Sequence, residues 1–195
     1  MAIAARRIGA ETSATRAQIL TATEELIREE GYAAVSSRRV ATRAGLKPSL
    51  VHYYFPTTDD LLIAVSLKGA EESDVQLEEA LLSSDPVRGL WQFFKDSSRT
   101  AMALEFLALA NHRPAVRESM ASHSYEMRRR QVAVIDRLIG ERLAGEDGCT
   151  SAGLTVVLAG IGRAIVLEGG LGVTEGHQDA MDFVDHWLER LLPKE

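Results

Sequence analysis

The chain has 195 residues, 46% of them hydrophobic, with a formal net charge of −6 and one cysteine. Such a composition supports a substantial core, and a single cysteine excludes a disulfide framework and points to a reducing, cytoplasmic compartment. No 18-residue apolar run is free of charges, so no membrane span is expected, and "MAIAARRIGAET" has no apolar stretch after its arginines long enough for a signal peptide.

Helical periodicity dominates from the start. Ile19, Leu20, Thr23, Leu26 and Ile27 share one helical face. Thr15 and Gln18 have the spacing of a capping box and Gly31 supplies a stop, which predicts a first helix over about residues 13 to 30. Ser36 is a suitable N-cap for a short second helix ending near Ala44. Pro48 opens a third, ended by Pro56. Thr57 caps a fourth, with Asp59 and Asp60 favourably placed for its dipole, running into the low eighties and frayed near Gly69. Asp85-Pro86 begins a fifth with Trp91, Phe93 and Phe94. "TAMALEFLALAN" is apolar almost all round and reads as a buried helix. Pro114 opens the longest helix, to about residue 143, with a stripe of Val116, Met120, His123, Met127, Val134 and Leu138. "GEDGCT" reads as a loop. Helices over 151–168 and 177–192 follow, joined by the glycine-rich "EGGLGVTEGH". The expected fold class is all-α, without strands or internal repeats.

Net negative charge argues against a nucleic-acid partner, but its distribution does not. Residues 1–56 carry eight Lys or Arg against five Asp or Glu, a net +3, and the remainder fourteen against twenty-three, a net −9. One basic end on an acidic body suggests that only that end meets a polyanion. Within it, Ala41 is a small residue that permits a close helix crossing, Gly45 suits a turn of positive φ, and Val40, Leu46, Val51 and Phe55 are apolar anchors, with Tyr54 a further one. With Val51 and Phe55 inward, Ser49, His52 and Tyr53 point outward. Lys47 precedes Pro48 at the positive end of the helix dipole and has no acceptor with which to cap it, at a cost of a few tenths to about 1 kcal/mol. A cation is tolerable there if phosphate is its counter-charge.

The stretch "TRAQILTATEELIREEGYAAVSSRRVATRAGLKPSLVHYYFPTTDDLLIAV" closely resembles the TetR (tetracycline-repressor) family of bacterial transcriptional regulators. The pattern Ile19-Leu20, Ala22, Leu26, Gly31-Tyr32, Val40-Ala41, Ala44-Gly45 and Tyr54-Phe55 carries the resemblance. It implies a helix-turn-helix DNA-binding domain over 1–56 and an all-helical domain over 57–195 that binds a small effector and dimerises. It also implies phosphate contacts from Ser36, Ser37 and Arg38, and DNA-facing positions at Lys47, Pro48, Ser49, His52 and Tyr53. Three positions depart from the family pattern. Lys47 replaces a small capping residue, His52 a common tyrosine, and Thr58 a common phosphate-contacting lysine.

Catalysis has little to stand on. "GIGRAIVLEGGLG" lacks the third glycine of a nucleotide loop, which is Ile165 here, and Gly160 and Gly162 are better read as permitting a close helix approach. No nucleophile elbow is present and the histidines lack metal-ligand spacing. Cys149, beside Glu146 and Asp147, lacks the electropositive setting of a reactive thiolate. No enzyme activity, cofactor or metal is expected. Effector-site candidates are Trp91, Phe94, Met102, Glu105, Phe106, Met120, His123 and Met127, because an apolar pocket with few polar groups is the usual form of such sites. His123 is either a core histidine with a neighbouring partner or an effector contact. Glu105, expected to be buried, needs an internal Arg or a ligand cation. The expected partners are an operator in double-stranded DNA, a small mainly apolar effector, and a second copy held through the last two helices. The alternatives are an activator or ligand-independent regulator, or a helical ligand-binding protein without DNA function.

Overall fold

The computed structural model describes residues 13–192, the side chains of 97–99 and 146–147 excepted. The arginines and the acid before residue 13 that enter the charge balance, and the segment read against a signal peptide, lie outside the described residues. Among the described residues there are nine α-helices, one 3₁₀ turn and no strand. In chain order they are α1 (Ala14–Glu30), a 3₁₀ turn (Tyr32–Ala34), α2 (Ser37–Arg43), α3 (Pro48–Tyr54), α4 (Thr58–Leu82), α5 (Pro86–Lys95), α6 (Ser97–Ala110), α7 (Pro114–Asp147), α8 (Ser151–Gly170) and α9 (His177–Leu191).

The helices form two compact units, each with its own core. One holds the described residues up to Ala70 together with Met102–Ala121, and the other holds Glu71–Ala101 with the described residues from Ser122 onward. The first unit thus contains all of the described part of 1–56, plus the start of α4 and pieces of α6 and α7. Ile19, Leu26, Val40, Val51, Leu61 and Phe106 are among the side chains of its core. Leu77, Trp91, Ile135, Leu143, Leu158 and Leu188 are among those of the second.

Local chemistry explains where most helices begin. Asp85 accepts from the Arg88 N–H at 3.0 Å and Thr150 from the Gly153 N–H at 3.0 Å. Thr57 and Asp60 form a reciprocal box at the head of α4: the threonine hydroxyl accepts from the Asp60 N–H at 3.1 Å, and the Asp60 carboxylate accepts from the Thr57 N–H at 2.9 Å. The cap of α1 differs from expectation. Ser13, not Thr15, accepts from the Arg16 N–H, at 3.1 Å, because Thr15 already lies inside the first turn. Gln18 is therefore free to reach elsewhere.

Three further expectations are corrected. Helix α4 runs unbroken through Gly69. Helix α6 is not buried all round: Phe106, Leu109 and Ala110 are buried, while Ala101, Ala103, Glu105, Leu107 and Ala108 are exposed. Ala101, Ala103 and Ala108 account for most of its exposed apolar positions, and alanine favours helix without requiring burial. Exposed Glu105 therefore needs no internal partner. On α7 the buried positions after Met127 are Gln131, Ile135, Ile139 and Leu143, and Leu138 is exposed. Steps of four residues advance the buried face by about 40° each time, so it walks around the long helix and leaves Leu138 outside.

Helix α8 is long and apolar enough to cross a bilayer by length and composition alone. Its Leu154, Thr155, Leu158, Ala159 and Gly162 are buried in the second unit, while Val156, Val157 and Leu167 are exposed. Gly162 is where backbones approach closely, since a methyl there would sit 2.3 Å from the Phe94 carbonyl oxygen. Gly160, read in the same way from the sequence, faces open space.

Candidate nucleic-acid interface

The turn between α2 and α3 is built by hydrogen bonds that only a left-handed residue permits. Gly45 has φ +66°. Its N–H donates to the Thr42 carbonyl at 3.2 Å, and the Leu46 N–H donates to the Ala41 carbonyl at 2.8 Å. This is a Schellman motif, which closes the end of α2 and turns the chain toward Pro48. A third bond supports it from outside: the Gln18 side-chain amide donates to the Ala44 carbonyl at 2.7 Å. Helix α1 thereby fixes the same turn that sets the angle between α2 and α3.

That geometry sorts the side chains of α3. Val51 is fully buried and Phe55 nearly so, while Lys47, Pro48, Ser49 and His52 are exposed and Tyr53 is 44% exposed. Tyr53 meets the Tyr54 ring edge-on, with centroids 5.2 Å apart, and Tyr54 packs against the first core. At the start of α2, Ser36 and Arg38 are exposed and Ser37 is half-buried. Ser36 also caps the helix, accepting from the Arg39 N–H at 3.4 Å.

The cations of this region fall into two groups. Arg39 donates to Glu30 at 2.5 Å, and Arg43 donates to Glu29 at 2.6 Å with Glu25 at 3.6 Å. The hydrogen bond from Arg43 holds the Glu29 carboxyl below its ordinary value, and the same bond raises Arg43. These arginines brace α2 against α1. Arg38 and Lys47 have no acid partner among the described residues. Lys47 is also the N-cap residue of α3, with no side-chain cap bond. Of the basic side chains on α2 and at the head of α3, these two alone hold no carboxylate among the described residues. The glutamates at 25 and 29, spaced one turn apart on α1 and facing α2, were the sequence signal for which arginines are consumed.

Residues 19–65 match the family model of bacterial regulatory proteins, tetR family. This segment is a tetR-family amino-terminal domain. The wider chain carries the tetR-family regulator fold. A transcriptional regulator from Rhodococcus sp. Rha1 aligns at 21% identity over 86% of this chain and 92% of its own, with a TM-score of 0.68. A TetR transcription regulator from Haloarcula marismortui aligns at 22% identity over 92% and 98%, with a TM-score of 0.71. The multidrug binding protein EbrR, solved with imidazole, aligns at 23% identity over 94% and 97%, with a TM-score of 0.59. At these identities the likeness shows the fold alone. No curated protein matches the chain.

The eight effector-site candidates of this tetR-family fold divide between the two cores. Phe106 is buried in the first, with Met102 and Met120 against it. Trp91 and Phe94 are buried in the second, with Met127 against it. Glu105 is exposed. His123 is half-buried, its Nδ1 3.9 Å from an Asp74 oxygen, while Asp74 accepts from Arg130 at 2.9 Å. Two buried polar atoms have no partner among the described residues, His123 Nε2 and Trp91 Nε1. Both belong to side chains singled out from sequence.

Proposed function

We propose that this chain is a homodimeric, ligand-responsive transcriptional repressor whose α3 enters the major groove of a near-palindromic operator. The observation that carries this reading is the division of α3. Val51 and Phe55 anchor it, and Lys47, Pro48, Ser49, His52 and Tyr53 stand outward beside Ser36, Ser37 and Arg38. Arg38 and Lys47, free of acid partners, supply charge for phosphate, and base edges are left to Ser49 and His52. Residues 1–56 act as the DNA-binding domain and 57–195 as the domain that binds effector and dimerises.

Support for dimerisation comes from the outward apolar side chains Val156, Val157 and Leu167 on α8 and Phe183 on α9, the last 67% exposed. A two-fold partner that covers them pairs α8 and α9 with their copies. The effector is a small, mainly apolar molecule that meets aromatic and methionine side chains from the candidate set. Its binding favours a geometry in which the paired α3 helices no longer match the operator spacing. The imidazole held by EbrR supports a ligand-binding role by likeness of fold only. Selecting fragments bound by the protein from sheared genomic DNA tests the reading. Enrichment of a two-fold symmetric sequence is expected, and failure to retain any DNA at moderate salt would overturn it.

A further inference from the structure

Along the chain, helix α3 has a cation at one end only. Lys47 stands at its head, and from there to Lys68 the sequence holds no Lys or Arg. The first formal charges after α3 are the carboxylates of Asp59 and Asp60. Lys47 and Phe55, at head and tail, are eight residues apart, about 12 Å along a helix axis. The major groove is itself about 12 Å wide, so a helix set into it brings each end near a different phosphate backbone. At the tail of α3 the neighbouring sequence offers that backbone acids and no cation.

The fold brings a cation there from α1. The Arg16 guanidinium, from the first turn of α1, lies over the Phe55 ring, 5.2 Å from its centroid, and Phe55 is the residue that closes α3. Two residues on, Gln18 holds the Ala44 carbonyl ahead of α3 at 2.7 Å. One short stretch of α1 thus touches the chain both before and after the recognition helix, and the position of Arg16 relative to α3 is fixed.

Arg16 is otherwise unanswered. Its five guanidinium N–H donors have no carboxylate among the described residues, because the acids around it are taken. Of the glutamates on α1, Glu24 is held by Lys68, Glu25 and Glu29 by Arg43, and Glu30 by Arg39. Asp59 is held by Arg113, and Asp60 accepts from the Thr57 N–H and hydroxyl. Arg16 also stands at the positive end of the α1 dipole, where no acidic side chain offsets it and a cation is unfavourable. Arg28, by contrast, lies in the last turn of α1, where the dipole favours it. Arg16 therefore shares the electrostatic setting of Lys47: a cation at a positive helix end, with no carboxylate of the protein to answer it.

We propose that Arg16 binds a DNA phosphate at the carboxyl end of α3, on the strand opposite the one met by Lys47, so that α3 is clamped to both backbones. Phe55 positions the guanidinium for that contact. The proposal rests on the DNA-binding reading above and adds to it a contact from α1. It is tested on the full chain with a selected operator and random duplex DNA, by salt titration of Arg16→Gln, Arg16→Lys and Arg28→Gln and by the melting temperature of each. Arg16→Gln removes two cations per dimer. Its affinity should fall similarly on both DNAs, and the slope of log affinity against log salt should fall by up to about 2. A fourfold rise in salt should then cost the variant about tenfold less affinity than it costs the parent. Arg16→Lys should restore most of the slope, because the charge returns. Arg28→Gln, the same loss of charge on the same helix, should leave the slope near the parent's. On the unaltered protein, operator DNA should shield Arg16 from phenylglyoxal, read by mass spectrometry, and leave Arg28 reactive.

A role confined to packing on Phe55 predicts another outcome. Arg16→Gln would then lower the melting temperature and operator affinity while the salt slope held, and that result would overturn the assignment. Equal slope losses in Arg16→Gln and Arg28→Gln, a slope that Arg16→Lys does not restore, or equal phenylglyoxal reactivity of Arg16 with and without DNA would overturn it as well. The DNA-binding reading fails separately: a parent chain that retains neither DNA removes that reading and the contact with it. A slope lowered by Lys47→Ala and unchanged by Arg16→Gln removes the Arg16 contact alone.

Discussion

Replacing Gly162 by alanine tests how the second core is assembled. The new methyl would sit 2.3 Å from the Phe94 carbonyl oxygen and 2.8 Å from its carbon, both backbone atoms. Ordinary contact begins near 3.4 Å, so α5 and α8 must separate by about 1 Å, or the helix must distort. Overpacking of this kind costs roughly 1–3 kcal/mol. The alanine recovers up to about 1 kcal/mol of helix propensity. A net loss of about 1–2 kcal/mol is expected. Both tryptophans, Trp91 and Trp187, lie in the second unit, so urea unfolding followed by tryptophan fluorescence reads that unit directly. Gly160→Ala, two residues away with nothing within 4 Å, should instead gain roughly 0.5–1 kcal/mol. Equal stability changes in the two variants would refute the close approach of α5 and α8.

Ser13→Ala should cost about 1 kcal/mol through loss of the α1 cap, and Thr15→Ala much less, read by thermal unfolding with circular dichroism. Gly45→Ala forces a side chain into φ +66° and should cost roughly 1–2 kcal/mol; weaker DNA retention should accompany it, because the turn sets the angle of α3. Paired substitutions Val157→Lys and Phe183→Lys should give a monomer in sedimentation experiments, and a persistent dimer would move the interface away from α8 and α9.

How far the residues disclose the structure depends on whether the chemistry is local. Ser36, Asp85 and Thr57 mark helix starts through bonds to residues three positions away, Pro48 does so through its fixed φ, and those starts are legible. Gly45 is legible for the same reason, because positive φ is a property of one residue. Gln18 is not: its bond to the Ala44 carbonyl joins two helices, and a local capping partner was available to mislead. The exposed face of α6 is hidden in the sequence because alanine counts as apolar whether or not it is covered. The stripe on α7 does not reach Leu138, because a helix that contributes to two cores does not hold one periodicity along its length. Gly160 and Gly162 are alike in sequence and differ only in whether Phe94 lies opposite. At the DNA-facing end the outward residues follow from the two anchors, Val51 and Phe55. Which arginines stay available depends on the glutamates of α1, a cross-helix fact. Residue type alone marks the effector candidates in the sequence, and type does not say which core a side chain joins.

The central claim is that α3 reads DNA with Lys47 on phosphate and His52 at base edges. It is tested most directly by salt titrations of Lys47→Ala and His52→Ala on a selected operator and on random DNA. In a dimer, Lys47→Ala removes two cations. Binding to both DNAs should weaken similarly, and the slope of log affinity against log salt should fall by up to about 2. His52→Ala should cost about 1–3 kcal/mol per lost base contact on the operator and spare random DNA. Loss of specificity from Lys47→Ala with little change in non-specific affinity would instead put Lys47 on guanine. Unchanged binding by both variants on every DNA would contradict the placement of α3.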